Sequence, residues 1–193
     1  GEGVSRFSWF GKKYAGVDPE TGLASFYKNT YVVDENGTQV LGEDGYPIVN
    51  GTETTTNFND ASDYIIGDVL PDVYGGFGTS LNAYGFDLAI SFAYQLGGKV
   101  YDNTYASLMH GGTSADAGQN WHMDILNAWT PENKNTDIPR LNYNDRYTNY
   151  LSDRFLTSSD YLSINNITFG YTLPKNLSKK FGASNFRLYL NVD

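Results

Sequence analysis

Residues 86–95 run Phe-Asp-Leu-Ala-Ile-Ser-Phe-Ala-Tyr-Gln, and their alternation is the clearest indication of secondary structure in the chain. Every second side chain is bulky and apolar, and those between are small or polar. Because successive side chains of a β-strand point to opposite faces, this period of two predicts a strand with one apolar face. We expect that face to carry Phe86, Leu88, Ile90, Phe92 and Tyr94.

Two environments accommodate such a strand. In a soluble sandwich the apolar face packs into a core, whereas in a membrane β-barrel it faces lipid and the polar face lines the lumen. At about 3.3 Å per residue and a tilt near 45°, roughly ten residues cover the ~25 Å apolar band of an outer membrane. This strand alone is compatible with both.

Two later segments repeat the pattern. Residues 167–173 alternate in the same way, and residues 185–192 place Phe186, Leu188 and Leu190 on one apolar face with Val192. Upstream, Leu162 and Ile164 have the opposite parity, which predicts either a β-bulge or a change of environment near residues 165–166. Between the two segments, Pro174 ends a strand, and residues 175–181 are predicted to form a short helix that stops at Gly182.

Composition agrees with many strands separated by turns. Of 193 residues 16% are aromatic and 21 are glycine. The net charge of -9 argues against nucleic acid as a partner, and the absence of cysteine excludes disulfides and thiolate metal sites. No apolar run approaches the roughly 18 residues of a membrane helix, a test that barrel strands escape.

The first part of the chain is rich in turn signals. Asn36-Gly37 and Asp44-Gly45 predict hairpins, and residues 18–22 predict a further turn. The polar run at 52–57 predicts an exposed loop.

Residues 102–150 differ from the rest, with a short helix predicted at 120–128 and a long irregular segment after it. Loops of this length belong on the outer side of a barrel. His110 and His122 lie too far apart for a zinc motif, so we expect surface-loop histidines and no metal. No nucleophile elbow, phosphate-binding loop or selectable carboxylate pair indicates an enzyme, and no cofactor is implied.

Several motifs occur in the order found in one family. Residues 129–133, Trp-Thr-Pro-Glu-Asn, resemble a signature of SusC/RagA-like TonB-dependent transporters. Residues 152–162 and 166–174 resemble the segment that follows it there. Earlier matches at 14–22, 66–76, 85–88 and 97–101 extend the resemblance over nearly the whole chain.

The resemblance implies an all-β chain, an antiparallel up-and-down sheet forming part of an outer-membrane barrel of about 22 strands. We expect residues 1–193 to form part of that barrel, with about six to eight strands. The plug, the signal peptide and the C-terminal end are expected to lie elsewhere. The implied partners are a SusD-like surface lipoprotein, the TonB complex acting through the plug, and outer-membrane lipid. The implied cargo is a glycan-derived oligosaccharide or a peptide, and the implied location is the outer membrane of a Gram-negative bacterium of the Bacteroidetes type.

Aromatic loop residues are the candidates for cargo binding. Trp121, Trp129, Tyr143 and Tyr147 lie in the long irregular region, and flat rings stack on sugar faces. The alternative is that these rings anchor the loop to the barrel rim or contact a partner. Two rival functions also stay open at this point: a stand-alone soluble β-domain that binds carbohydrate, and a secreted enzyme.

Overall fold

A computed structural model describes residues 3–145 and 147–193. Its strands, in chain order, are β1 (Ser8–Lys12), β2 (Tyr14–Val17), β3 (Ala24–Tyr31), β4 (Val49–Thr55), β5 (Asp63–Asp68), β6 (Val73–Ala83), β7 (Phe86–Leu96), β8 (Lys99–Tyr101), β9 (Leu156–Ser158), β10 (Tyr161–Thr172) and β11 (Arg187–Val192). The α-helices are α1 (Asn103–Leu108) and α2 (Lys175–Ser178). Five 3-10 turns lie at Phe58–Asp60, Ser114–Asp116, Met123–Asn127, Asp153–Phe155 and Lys179–Phe181. None of the helices in these described ranges is long and apolar enough to cross a membrane.

The chain divides into two compact units. The loop unit comprises the residues up to Val69 together with Lys99–Thr157, and the sheet unit comprises Leu70–Gly98 and Ser158–Asp193. The strand pairs β1–β5, β2–β3, β3–β4, β6–β7, β7–β10 and β10–β11 are all antiparallel, which confirms the predicted all-β, antiparallel class.

The sheet unit holds one four-stranded meander in the order β11-β10-β7-β6. The described part of the chain has eleven strands, four of them in this continuous sheet, whereas the sequence predicted six to eight strands in all. The other strands form small sheets, β1-β5, β2-β3-β4 and β8-β9, because turns and register shifts interrupt the alternation there.

A two-residue turn at Tyr84-Gly85 joins β6 to β7, with Ala83 paired to Phe86. Tyr84 and Gly85 have φ values of 52° and 87°, and two positive values are what a type I′ hairpin turn requires. The connection between β10 and β11 closes the same end of the sheet. The start of β6, the end of β7 and the start of β10 all lie at the opposite end.

The predicted bulge is confirmed, since the register between β10 and β7 shifts between Ile164 and Asn166. Asn165 is the extra residue, and it brings Leu162 and Ile164 onto the same face as Ile167. The turn signals at 18–22, 36–37 and 44–45 are also confirmed by bridges or backbone hydrogen bonds across each turn.

Two local expectations were wrong. Residues 52–55 are not a loop but the second half of β4, because their backbone pairs with β3. The helix expected at 120–128 is only the 3-10 turn Met123–Asn127, which His122 caps by accepting from the Asp124 amide. The helix that does form in this region is α1, capped by Asp102.

The two units differ in how they bury apolar side chains. Every buried hydrophobic residue of the described ranges belongs to the loop unit. One of its clusters centres on Met109 and Phe155, and the other on Phe26 and Phe58. The four-stranded sheet buries no hydrophobic side chain within its own unit.

Candidate functional site

The four-stranded sheet aligns its apolar side chains into rows that cross all the strands. One row runs Leu81, Leu88, Phe169, Leu190, and each member is the register partner of the next. The rows on either side repeat the arrangement, so the face carries the predicted residues Phe86, Leu88, Ile90, Phe92, Tyr94, Leu188 and Leu190. Phe186 precedes β11 with the same parity.

Much of this apolar face is exposed, and the remaining side chains on it are half-buried. Leu81, Leu188 and Leu190 have 64%, 69% and 65% of their surface accessible. Its rings contact one another across strands, as in the stacked pair Phe77–Phe92, whose centroids are 4.7 Å apart. Strands β6 and β7 have 11 residues each and β10 has 12, near the roughly 9–11 residues of a membrane-spanning strand.

The opposite face is polar and lined by small residues. Arg187 donates from Nε to Asp87 Oδ1 at 3.1 Å, and Asn191 accepts hydrogen bonds from Asn166 and Thr168. One face is thus apolar and the other hydrogen-bonded, as the alternation predicts.

In the loop unit, Phe58 is the centre of an aromatic cluster. The Tyr147 ring stacks on it at 4.9 Å with a 4° interplanar angle, while Phe26 and Tyr150 meet it edge-on. Tyr147 therefore has one ring face covered by Phe58. Of the predicted cargo-binding rings, Tyr143 is the most exposed, at 64%.

The two predicted tryptophans occupy different environments. Trp121 is 46% exposed, stacks on His110 at 5.0 Å and donates from Nε1 to the His110 carbonyl. Trp129 is only 9% exposed, and its ring lies against the backbone of Gly22. In this arrangement, the Trp129 ring offers little surface to a ligand.

The prediction that both histidines are surface-loop residues is wrong for His110, which is 1% exposed beneath Trp121. Its Nδ1 accepts from the Gly112 amide and lies 3.7 Å from Asp116 Oδ2. His122 is partly exposed, with a 38% accessible side chain. The spacing of the two histidines in the sequence does not reveal that the Trp121 ring covers His110. Within the described ranges, no group of three His, Cys, Asp or Glu side chains is placed to hold a metal ion.

A polar cleft of about 320 Å³ was not predicted. Its lining includes Tyr105, Asp124, Asp137 and Arg154, and the Tyr105 hydroxyl donates to Asp124 at 2.9 Å. Carboxylates, a phenol and a guanidinium at one cleft can hydrogen-bond a polar ligand. Little in the sequence indicates this cleft, because the residues that line it are far apart in the chain. Tyr105 and Arg154, for example, are separated by 49 positions.

Arg154 lies close to two aromatic rings. Its guanidinium carbon lies 5.3 Å from the Tyr14 ring centroid and 5.0 Å from that of Phe155, and Nη1 donates to the Thr148 carbonyl. Burial lowers the pKa of Arg154 below its usual range. Burial also raises the pKa of Tyr14 to about 12, with Arg154 opposing the shift, and the Tyr14 hydroxyl donates to the Asp137 carbonyl at 2.8 Å.

Comparison with known proteins identifies the family. No protein-family model matches the chain. It is 31% identical over 195 residues to TonB-dependent receptor P3 of Formosa agariphila, an alignment that covers 98% of this chain and 17% of that receptor. TonB-dependent receptor P26 of the same organism is 25% identical over 171 residues, covering 85% of this chain and 16% of that receptor.

Solved structures give the same result. The RagAB peptide transporter matches with a TM-score of 0.67 and 26% identity, over 96% of this chain and 19% of that chain. The RagAB peptide importer in the closed-closed state matches with a TM-score of 0.68 and 26% identity, with the same coverage.

The exposed apolar face and these likenesses define the chain as part of the wall of a β-barrel protein. The chain belongs to the TonB-dependent receptors of the SusC/RagA-like group. It spans about one sixth of the length of its curated relatives, 17% and 16%.

Proposed function

We propose that this chain forms part of the barrel domain of a TonB-dependent importer in the outer membrane of a Gram-negative, Bacteroidetes-type bacterium. The observation that carries the proposal is the exposed apolar face of the sheet β11-β10-β7-β6. Exposed apolar surface of this extent on strands of membrane-spanning length fits lipid, with the polar face toward the lumen.

Orientation follows from the connections. Outer-membrane barrels have short turns on the periplasmic side and long loops outside. The Tyr84-Gly85 turn and the β10–β11 connection close one end of the sheet, so we assign that end to the periplasm. The long segment between β7 and β10 leaves from the other end, which we assign to the cell exterior.

The cargo we propose is a glycan-derived oligosaccharide or a peptide, delivered with the help of a SusD-like surface lipoprotein. The solved relatives are described as a peptide transporter and peptide importer, which supports the peptide arm. Energy would come from the TonB complex through a plug outside this chain. Trp121, Tyr143 and Tyr147 are the candidate contacts, since Trp121 and Tyr143 are exposed and Tyr147 is partly so.

Growth of the parent bacterium tests the proposal. Deleting the gene that encodes this chain should abolish growth on one oligosaccharide or peptide as sole nutrient, and the intact gene should restore it. Trp121→Ala with Tyr143→Ala should weaken that growth at normal receptor abundance, whereas the matched control Tyr46→Ala, which removes another exposed ring, should not. Unchanged growth of the deletion strain on every such nutrient contradicts the import proposal.

The alternative, a soluble carbohydrate-binding β-domain, required the bulky strand faces to pack into a closed core. Those side chains are exposed or half-buried, and the described part of the sheet unit buries no hydrophobic residue. A monomeric protein that unfolds cooperatively without detergent would favour that alternative over the barrel.

A further inference from the structure

The connection between β10 and β11 forms a compact amphipathic segment, residues 174–186. Helix α2 and the 3-10 turn after it run from Lys175 to Phe181. Ser178 is fully buried at its base, and its hydroxyl donates to the Leu173 carbonyl at 3.3 Å. Gly182, with φ of 72°, ends the helical part of the segment in the left-handed conformation. The Ser178 hydrogen bond ties this helical part to Leu173, the residue that follows β10.

Its charge is opposite to that of the chain. Lys175, Lys179 and Lys180 are exposed, and none forms an ion pair with any residue of the described ranges. Residues 161–192 contain no Asp or Glu, in a chain whose net charge is -9. Three uncompensated ammonium groups within six positions favour an anionic partner.

The apolar side of the segment continues the apolar sheet face. Leu177 and Phe181, four residues apart, are 44% and 74% exposed. The Phe181 ring lies 6.5 Å from the ring of Phe186, which has the parity of Leu188 on β11. The Phe181–Phe186 ring pair thus links the apolar side chains of the segment to the residue that precedes β11.

The neighbouring turn adds an aromatic ring at the same end of the sheet. Thr172 donates its amide to the Gly85 carbonyl at 2.7 Å, so the turn lies beside the end of β10. Tyr84 is 98% exposed and has φ of 52°, a conformation that Asn or Gly adopts with less strain. The tyrosine at this position exposes an amphipathic ring, and such rings are enriched at membrane–water interfaces.

We propose that residues 174–186, together with Tyr84, bind the headgroups of anionic glycerophospholipid at the membrane interface. The inference rests on the proposed function, since it needs the sheet face to meet lipid. Apolar side chains that enter the acyl boundary, beside cations at headgroup level, are the arrangement of interfacial amphipathic helices. The ligand chemistry is a lipid phosphate. The short connections point to the periplasmic leaflet, so the source is phospholipid and not lipid A.

The test uses the full-length receptor in phosphatidylcholine vesicles, with a bimane fluorophore on Asn176→Cys. Brominated phosphatidylglycerol and brominated phosphatidylcholine are added at equal mole fraction, and the ratio of their quenching measures local lipid enrichment. Each lysine near an anionic surface contributes roughly fivefold to binding at low salt. We expect phosphatidylglycerol to be favoured at least about threefold, and high salt to reduce the preference.

Two matched variants distinguish the effect of these three lysines from the effect of the protein's net charge. Lys175→Gln/Lys179→Gln/Lys180→Gln should bring the ratio close to one. Lys13→Gln/Lys28→Gln/Lys134→Gln removes the same charge from the loop unit and should leave the ratio unchanged. Both variants are first checked for normal insertion. Equal quenching by the two lipids in the parent, no quenching by either, or a stronger preference for brominated lipid A each overturns the inference.

A second probe distinguishes this inference from the proposed function. Bimane on Ile90→Cys, at the middle of β7, reports whether the sheet face meets lipid at all. Quenching at residue 90 without a phosphatidylglycerol preference at residue 176 removes only the headgroup site. Absence of quenching at both positions removes the barrel proposal as well.

Discussion

Arg187 on β11 and Asp87 on β7 meet across the strand between them, directly above Gly170 on β10. A β-carbon on Gly170 would lie 2.6 Å from both carboxylate oxygens of Asp87 and 2.8 Å from an Arg187 nitrogen. The pair can therefore cross the middle strand only where that strand has no side chain.

This geometry predicts that Gly170→Ala destabilises the sheet because the new methyl displaces the ion pair. We expect a loss of roughly 1 kcal/mol in the free energy of unfolding in vesicles. In an Asp87→Ala background the same substitution should cost less, since the carboxylate it strikes is gone. Equal costs in both backgrounds would show that the crowding is unimportant.

A second glycine supports the tryptophan of the 129–133 signature. A β-carbon on Gly22 would lie 2.3 Å from the Trp129 ring, and Gly22 has φ of 73°. Gly22→Ala should therefore loosen the 18–22 turn and speed its proteolysis. Gly37→Ala is the matched control, because Gly37 has φ of 80° with open space around it. Gly37→Ala should therefore cost only about 1 kcal/mol, the free energy needed to hold alanine in the left-handed conformation. Similar proteolysis of the two variants would contradict the contact.

Burial of Tyr14 predicts an alkaline instability of the loop unit. The folded-state pKa of about 12 lies above the ordinary value of 10.0, so the folded state retains the phenol proton longer than the unfolded state. The stabilisation is complete below pH 10.0 and is lost as pH rises towards about 12, by about 2 kcal/mol. Denaturant unfolding at a series of pH values should show this decline in the parent and a shallower one in Tyr14→Phe. Identical slopes would count against burial of the hydroxyl.

Charge placed on the two faces of β7 should have unequal effects. Ile90→Arg puts a guanidinium on the apolar face at mid-strand, where a lipid environment costs roughly 2–4 kcal/mol. Ser91→Arg, the next residue, puts the same group on the polar face and should cost much less. The fraction of receptor that folds into vesicles under denaturant provides the comparison. If Ser91→Arg cost as much as Ile90→Arg, or more, the result would contradict lipid contact at the apolar face.

Sequence alone predicted those features that depend on local alternation. The period of two in residues 86–95 and the change of parity before Asn165 determined the strand faces and the bulge, because one buried or lipid-covered face fixes register. The 36–37 and 44–45 hairpins followed from turn chemistry in the same way.

Features set by distant residues were not predictable. The strand at 52–55 depends on pairing with β3, which no local pattern in a Thr-rich run reveals. Burial of His110 depends on Trp121 eleven positions away, and the polar cleft brings Arg154 together with Tyr105, which lies 49 positions earlier in the chain. In the candidate site, the aromatic residues could be selected from the sequence by their residue type. Which faces of their rings are covered and which are free became known only from the fold.

A cysteine scan of residues 86–95 in the full-length receptor measures whether the alternating sheet face meets lipid. Each position carries bimane in vesicles that contain brominated lipid, and quenching is measured residue by residue. We expect strong quenching at Phe86, Leu88, Ile90, Phe92 and Tyr94 and weak quenching at the residues between. Uniform quenching, or maxima at the intervening positions, would contradict it.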